Sequence, residues 1–376
     1  MGVEPETYAE KLGSIKSAVY SLFHVSDVRY EAGVLTFITE KADIKDAFKR
    51  LYNDLKPMGY VPTAERMGDS VVIKIYPFKP PRIGSARLPL ILMAVTCTTV
   101  FIDGLLRSNG IYKYASTVYE NFNAWYYAAL FTVSLLAIIG IHELGHKIVA
   151  RMRKIDSTLP YFIPGIPGEI PTFGAVILQK GPLVNKDDLF DLGISGPIAG
   201  FAVSLLVLFL AYSTAIWVPY GTAEDLYRWM QSEGGIFLPR PFIFDIFESF
   251  LGRDSEVPLI AFTPYAFPAW LGMLVTGLNM VPIWQLDGGR VMRALVSRRV
   301  HMILSYVGAV FLFITGYVLM ALLLLLLMRN TMDLQPLDTV SSLSLSRKLI
   351  FLGGLVMLAV TFVALPSPFI PQLRGQ

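Results

Sequence analysis

The stretch Leu135-Leu136-Ala137-Ile138-Ile139-Gly140-Ile141-His142-Glu143-Leu144-Gly145-His146 decides what kind of molecule this is. The apolar run before the histidine reaches back to Trp125-Tyr126-Tyr127, so 125–150 can cross about 30 Å of hydrocarbon as one helix. His142, Glu143 and His146 then fall inside a predicted membrane helix, where ionisable groups are costly and functional by default. On a helix, positions i and i+4 share a face, about 6 Å apart along the axis. Two imidazoles so placed can hold one Zn²⁺ ion. Glu143, one residue on, stands where it can take a proton from water beside the metal. A histidine pair buried only to bond neighbouring helices leaves the glutamate unexplained.

The surrounding composition agrees with a membrane setting. Of 376 residues, 54% are hydrophobic and 16% charged, against about 25% charged in soluble domains. A soluble chain this apolar would expose wide hydrophobic patches. The formal net charge of +3 is too small to suggest a nucleic-acid partner. A single cysteine, Cys97, excludes an internal disulfide framework and reads as packing in the first span. Apolar stretches of spanning length recur at about 88–106, 125–150, 191–218, 262–285, 301–328 and 348–367. The expected fold is therefore an α-helical polytopic membrane protein of about six transmembrane helices.

Residues 1–80 differ, with 11 Lys+Arg and 11 Asp+Glu interleaved with apolar positions. Leu12, Ile15, Val19 and Phe23 repeat at helical spacing, as do Ile44, Phe48, Leu51 and Leu55. Residues 34–39 and Val71, Ile73 and Ile75 read as strands. The pattern predicts a small α+β domain, in the order helix, two strands, helix, two strands. It ends at the stiff basic linker Lys79-Pro80-Pro81-Arg82, leaving 81–376 as the membrane-embedded domain.

No basic head followed by an apolar run marks a cleavable signal peptide, nor is the N-terminus of the transit-peptide type. Three basic clusters orient the bundle: Lys79, Arg82 and Arg87 before the first span; Arg151, Arg153 and Lys154 after the second; Arg290, Arg293, Arg298 and Arg299 after the fourth. The long opposite loop, 219–257, has seven acidic and three basic residues. The expectation is a multi-pass protein of the cell membrane, with its N-terminal domain and active-site end cytoplasmic. Loop 219–257, rich in phenylalanine, reads either as a cap over a substrate entrance or as a packed outer helix.

Zinc hydrolases use three protein ligands and keep one position open. His24 lies in the soluble part, and His301, after Arg298-Arg299, reads as interfacial. Asp287, the only acidic residue between Val257 and Met332, closes an apolar span on the same side as the histidines. Gly288 and Gly289 follow it and allow close backbone approach, and Pro282 breaks the helix before it. By spacing alone, Asp287 is either the third ligand or a helix-terminal carboxylate paired with Arg290.

Three passages together resemble a known family. His142-Glu143-Leu144-Gly145-His146 in a transmembrane helix, with Asn279-Met280-Val281-Pro282 and Leu286-Asp287-Gly288-Gly289 far downstream, resembles the site-2 proteases, the intramembrane zinc metalloproteases of peptidase family M50. Leu159–Pro164 with Thr172-Phe173-Gly174-Ala175, and Asp191–Gly200, resemble its archaeal, cyanobacterial and chloroplast branch. The likeness covers about 135–295, within a catalytic core of about 125–295. It implies one Zn²⁺ per chain held by His142, His146 and Asp287, with Glu143 as general base. It implies that Asn279 contacts the substrate backbone or oxyanion, where the bland alternative is a helix-helix hydrogen bond. It also implies a re-entrant loop or β platform over 160–182, with Phe173, Gly174 and Ala175 against the substrate. The partner implied is a single-span membrane protein in the lipid bilayer. The competing readings are a transporter, a catalytically silent scaffold, or a peptidase cutting at the membrane surface. No inverted repeat supports a transporter, and both histidines, the aspartate and the glutamate are present.

Overall fold

In the computed structural model, residues 8–31, 33–40, 43–79, 84–115, 122–232, 238–328 and 335–365 are described; Pro80-Pro81-Arg82 of the linker lies outside them. The chain begins with α1 (Tyr8–Tyr20), β1 (Val25–Glu31), β2 (Val34–Glu40), α2 (Lys45–Leu55), β3 (Tyr60–Met67) and β4 (Ser70–Pro77). These strands form one antiparallel sheet in the order β1-β2-β4-β3. Alternate residues of β2 point one way, so Leu35 and Phe37 meet Val71, Ile73 and Ile75 of β4 beneath the helices. Phe48, Leu51 and Leu55, spaced along one face of α2, close that core.

This unit is joined to the rest of the chain by backbone as well as side chains. The outer edge of β3 pairs with the segment before the last helix: Ala64 N–H donates to the Leu337 carbonyl at 2.8 Å, and Thr339 N–H to the Ala64 carbonyl at 3.1 Å. An exposed sheet edge is thereby covered.

Among the described residues, three helices are long and apolar enough to cross a membrane: α3 (Arg87–Ala115), α4 (Ala124–Met152) and α5 (Lys186–Thr214). Between α4 and α5 lies a two-stranded hairpin, β5 (Tyr161–Ile166) and β6 (Ile170–Val176). After α5 come β7 (Trp217–Pro219), α6 (Tyr220–Ser232), α7 (Phe242–Leu251) and β8 (Glu256–Pro258). Phe244 of α7 is buried against the bundle, whereas Phe242 and Phe250 are exposed.

Two of the later expected spans, 262–285 and 301–328, are interrupted, the first of them at the break that Pro282 predicts. Over 262–285, α8 (Ala266–Asn279) stops before Pro282, and α9 (Asp287–Leu295) begins only after seven non-helical residues. The residue preceding a proline disfavours helix. Over 301–328 there are two helices, α10 (Arg298–Ile314) and α11 (Val318–Met328), parted at Gly316, whose φ is +95°. Hydropathy alone does not register such breaks. The last helix, α12 (Leu345–Thr361), starts at a charge cluster. There Arg347 grips Asp187 at 2.9 Å and Asp191 at 2.7 Å, Lys45 of the N-terminal unit reaches Asp187 at 2.8 Å, and Arg153 of α4 pairs with Asp191. The start of α5 is thus tied to α4, to α12 and to the N-terminal sheet unit.

Candidate metal centre

The helix α4 sets His142 and His146 on one face, and both are buried. Their Nε2 atoms are 3.3 Å apart. Asp287 enters from the first turn of α9, with Oδ2 at 3.2 Å from each Nε2. Donors about 2.0–2.1 Å from a tetrahedral centre are themselves about 3.3–3.4 Å apart, so this triangle suits one zinc ion and leaves a fourth direction open. Nδ1 of His146 donates to the Leu192 carbonyl at 2.7 Å. That bond fixes the ring and leaves the Nε2 lone pair facing the triangle. The Asp287 carboxylate turns to the histidines rather than serving as a helix-end partner for Arg290.

The neighbouring glycines explain how three such groups converge. A Cβ on Gly196 of α5 would collide with the His146 ring, and one on Gly200 would lie 3.0 Å from His142 Nδ1. These small residues are where α5 lies flat on the two imidazoles. Gly288 and Gly289 serve the third donor. A Cβ on either would strike the carbonyls of Met280 or Ile283, because the broken segment after α8 folds back over the start of α9. That fold brings Asp287 to α4.

A cavity of about 190 Å³ opens beside the triangle, and Glu143, Asn279 and Arg290 line it. Glu143 is 7% exposed, and Asn279, at the end of α8, has Nδ2 3.5 Å from His142 Nε2. Of the three residues expected against a substrate, only Ala175 lines the cavity, together with Val176 and Ile177. Phe173 is 57% exposed, and Gly174 is not part of the wall. The register of the hairpin, which the sequence does not set, moves the wall two residues on. Gln285 also lines the cavity, with both polar atoms of its carboxamide buried and without a hydrogen-bond partner. A glutamine between Trp284 and Leu286 in an apolar segment was the available signal for it. His301 is 2% exposed and stacks on Trp284, with ring centroids 5.1 Å apart. Among the described residues, His142, His146 and Asp287 are the group placed to hold a metal ion.

Comparison with known proteins adds a second line of observation. Peptidase family M50 matches residues 130–323. The chain is 30% identical over 175 residues to "Probable zinc metalloprotease EGY2, chloroplastic" of Oryza sativa subsp. indica, covering 46% of this chain and 30% of that protein. It is 28% identical over 240 residues to the Arabidopsis thaliana protein of the same name, covering 62% and 40%. It is 24% identical over 179 residues to "Zinc metalloprotease MJ0392" of Methanocaldococcus jannaschii, covering 47% and 37%. The chain thus spans between 30% and 40% of the length of these relatives. Among solved structures, "Site-2 Protease from Methanocaldococcus jannaschii" aligns with 71% of this chain and 92% of its own, at 16% identity and a TM-score of 0.27.

Proposed function

Because this chain belongs to peptidase family M50, the site-2 proteases, we propose that it is a zinc-dependent endopeptidase that cuts within or near a transmembrane helix of a membrane-anchored substrate. The observation that carries the reading is the donor triangle of His142, His146 and Asp287 with Glu143 beside it on an open cavity. No inverted repeat in the sequence supports a transporter. A silent scaffold would not require all four groups.

Bound at the triangle, Zn²⁺ supplies Lewis acidity, which acidifies a water molecule and polarises a carbonyl oxygen. The protein's own groups do the rest. Glu143 accepts the proton of the attacking water and returns it to the departing amine. Nδ2 of Asn279, at the cavity wall, donates to the oxygen that gains charge during attack. The substrate helix has its amides bonded internally, so it must unwind first. β6 is an edge strand of a two-stranded sheet and can take an extended segment by strand addition, which repays part of that cost. Ala175, Val176 and Ile177 then lie alongside the scissile region.

In this reading α8 and α12 add membrane crossings, whereas α10 and α11 form a hairpin in place of the single fifth span expected over 301–328. The turn of that hairpin meets the far end of α12, where Leu365 N–H donates to the Thr315 carbonyl at 2.9 Å, and the chain after α11 returns to β3 of the N-terminal unit. The N-terminal sheet unit and the active-site end face the cytoplasm of a cell-membrane protein, in keeping with the three basic clusters before and after the spans. The test is cleavage of single-span membrane proteins by the purified full chain in liposomes. Cleavage within the span should vanish on treatment with a zinc chelator and return with added Zn²⁺. Cuts confined to surface segments would favour the surface-peptidase reading. Asp287→Ala should lower zinc affinity by more than the roughly 10–100-fold that loss of an outer partner costs, so that purified protein no longer holds one zinc per chain; an unchanged metal content by atomic absorption would remove Asp287 from the ligand set.

A further inference from the structure

Two ionisable residues inside the first membrane helix take no part in the chemistry above. Asp103 of α3 is fully buried, and Arg107 lies one turn on. Arg107 Nε donates to Asp103 Oδ2 at 2.6 Å. The pair does not end with itself. Asp103 Oδ1 accepts the backbone N–H of Gly168 at 2.7 Å, and Arg107 Nη2 reaches the Glu169 carbonyl at 3.5 Å. Gly168 and Glu169 are the tip of the β5–β6 hairpin. The guanidinium also lies over the Phe267 ring, 3.7 Å from its centroid, which holds the charge in place.

The base of the same hairpin is held by another cation. Lys147, the residue after His146, donates to the carbonyls of Ser157 and Thr158 at 2.5 and 3.1 Å. β6 therefore runs from a tip fixed on α3 to a base fixed on the metal-bearing helix, and its last residues line the cavity. A hairpin of two strands is marginal by itself. If it accepts a third strand from a substrate, any freedom at the tip must be lost on binding and weakens it. Placing a buried carboxylate and a partly buried arginine in a membrane helix to bond a loop's main chain is a costly arrangement, and it is understandable if the loop's position matters.

We propose that Asp103 and Arg107 are positioning residues for substrate: they pin the tip of the β5–β6 hairpin so that β6 is a fixed edge leading to the metal centre. This rests on the protease reading above. Its mark is a selective effect on substrate binding, since neither residue touches the cavity.

The experiment compares full-length wild type with Asp103→Ala and Arg107→Gln in liposomes, reading zinc content, amide hydrogen exchange over 166–170, and KM and kcat for a single-span substrate. The expected result is faster exchange at the tip, unchanged zinc, a KM raised about tenfold and a kcat within about twofold. A KM unchanged in both variants, or a kcat that falls with KM constant, would overturn the proposal. Should Asp103→Ala not fold, a bridged variant decides. In a Cys97→Ser background, Arg107→Cys with Glu169→Cys is joined by a short bis-methanethiosulfonate. KM should return toward wild type when bridged and rise again on reduction; a KM indifferent to the bridge would sink the idea. Absence of cleavage by wild type would instead refute the protease reading, and the exchange data would still report whether the pin holds the tip.

Discussion

Glu143→Gln should leave bound zinc unchanged and lower kcat/KM for a single-span substrate by about 10²–10⁴-fold. Glutamine keeps the volume and one acceptor oxygen of the glutamate, so the cavity beside His142 and His146 keeps its shape. What it loses is the capacity to hold a proton between attack and departure of the amine. The substitution does not touch the donor triangle, where Asp287 Oδ2 stands 3.2 Å from each imidazole. Metal analysis and kinetics on one preparation therefore separate base from ligand. Full cleavage by the variant, with zinc retained, would remove Glu143 from the reaction and leave the centre a metal site without a peptidase base.

That prediction draws on the part of the site most legible in the sequence. His142, Glu143 and His146 are spaced by the helix itself, so their geometry follows from local structure. The apolar run before them makes their charge conspicuous. Asp287 was less legible, because nothing local says that a residue 141 positions from His146 will meet it. The break after Asn279 brings it there; Pro282 marks that break in the sequence but not the direction the chain takes after it. The N-terminal periodicities were informative for the same reason as the metal helix: Ile15, Val19, Phe48 and Leu51 sit on single faces, and all are buried. Asp103 and Arg107 escaped notice because a window average over an apolar helix absorbs one ion pair. The hairpin meets the cavity at Ala175 to Ile177 rather than at Phe173 to Ala175 because its placement depends on where its tip is fastened, a tertiary matter.

Glycine positions show the same limit and carry the second large prediction. From the sequence, Gly196, Gly200 and Gly353 are alike: small residues in apolar helices. Their surroundings are not alike. A Cβ at Gly196 would occupy the space of the His146 ring, one at Gly200 would press on His142 Nδ1 at 3.0 Å, and one at Gly353 would meet nothing within 4 Å. α5 has little room to retreat, since Gly193 already lies close to the Asp287 carbonyl and Arg290, at 3.0 Å for an added Cβ, and the helix start is held by Arg347 and Arg153. The ring must therefore turn, which breaks the bond from Nδ1 to Leu192 and moves Nε2 out of the triangle. Gly196→Ala should abolish both zinc retention and cleavage in a protein that still inserts in the membrane. Gly200→Ala should weaken zinc binding by roughly 10–100-fold, the scale of losing an outer-sphere partner. Gly353→Ala should match wild type in both. Zinc titration of the three variants gives the order directly. Equal zinc affinity for Gly196→Ala and Gly353→Ala would mean that α5 yields at this point. The close approach of α5 to the imidazoles would then not be what holds His146 toward Asp287.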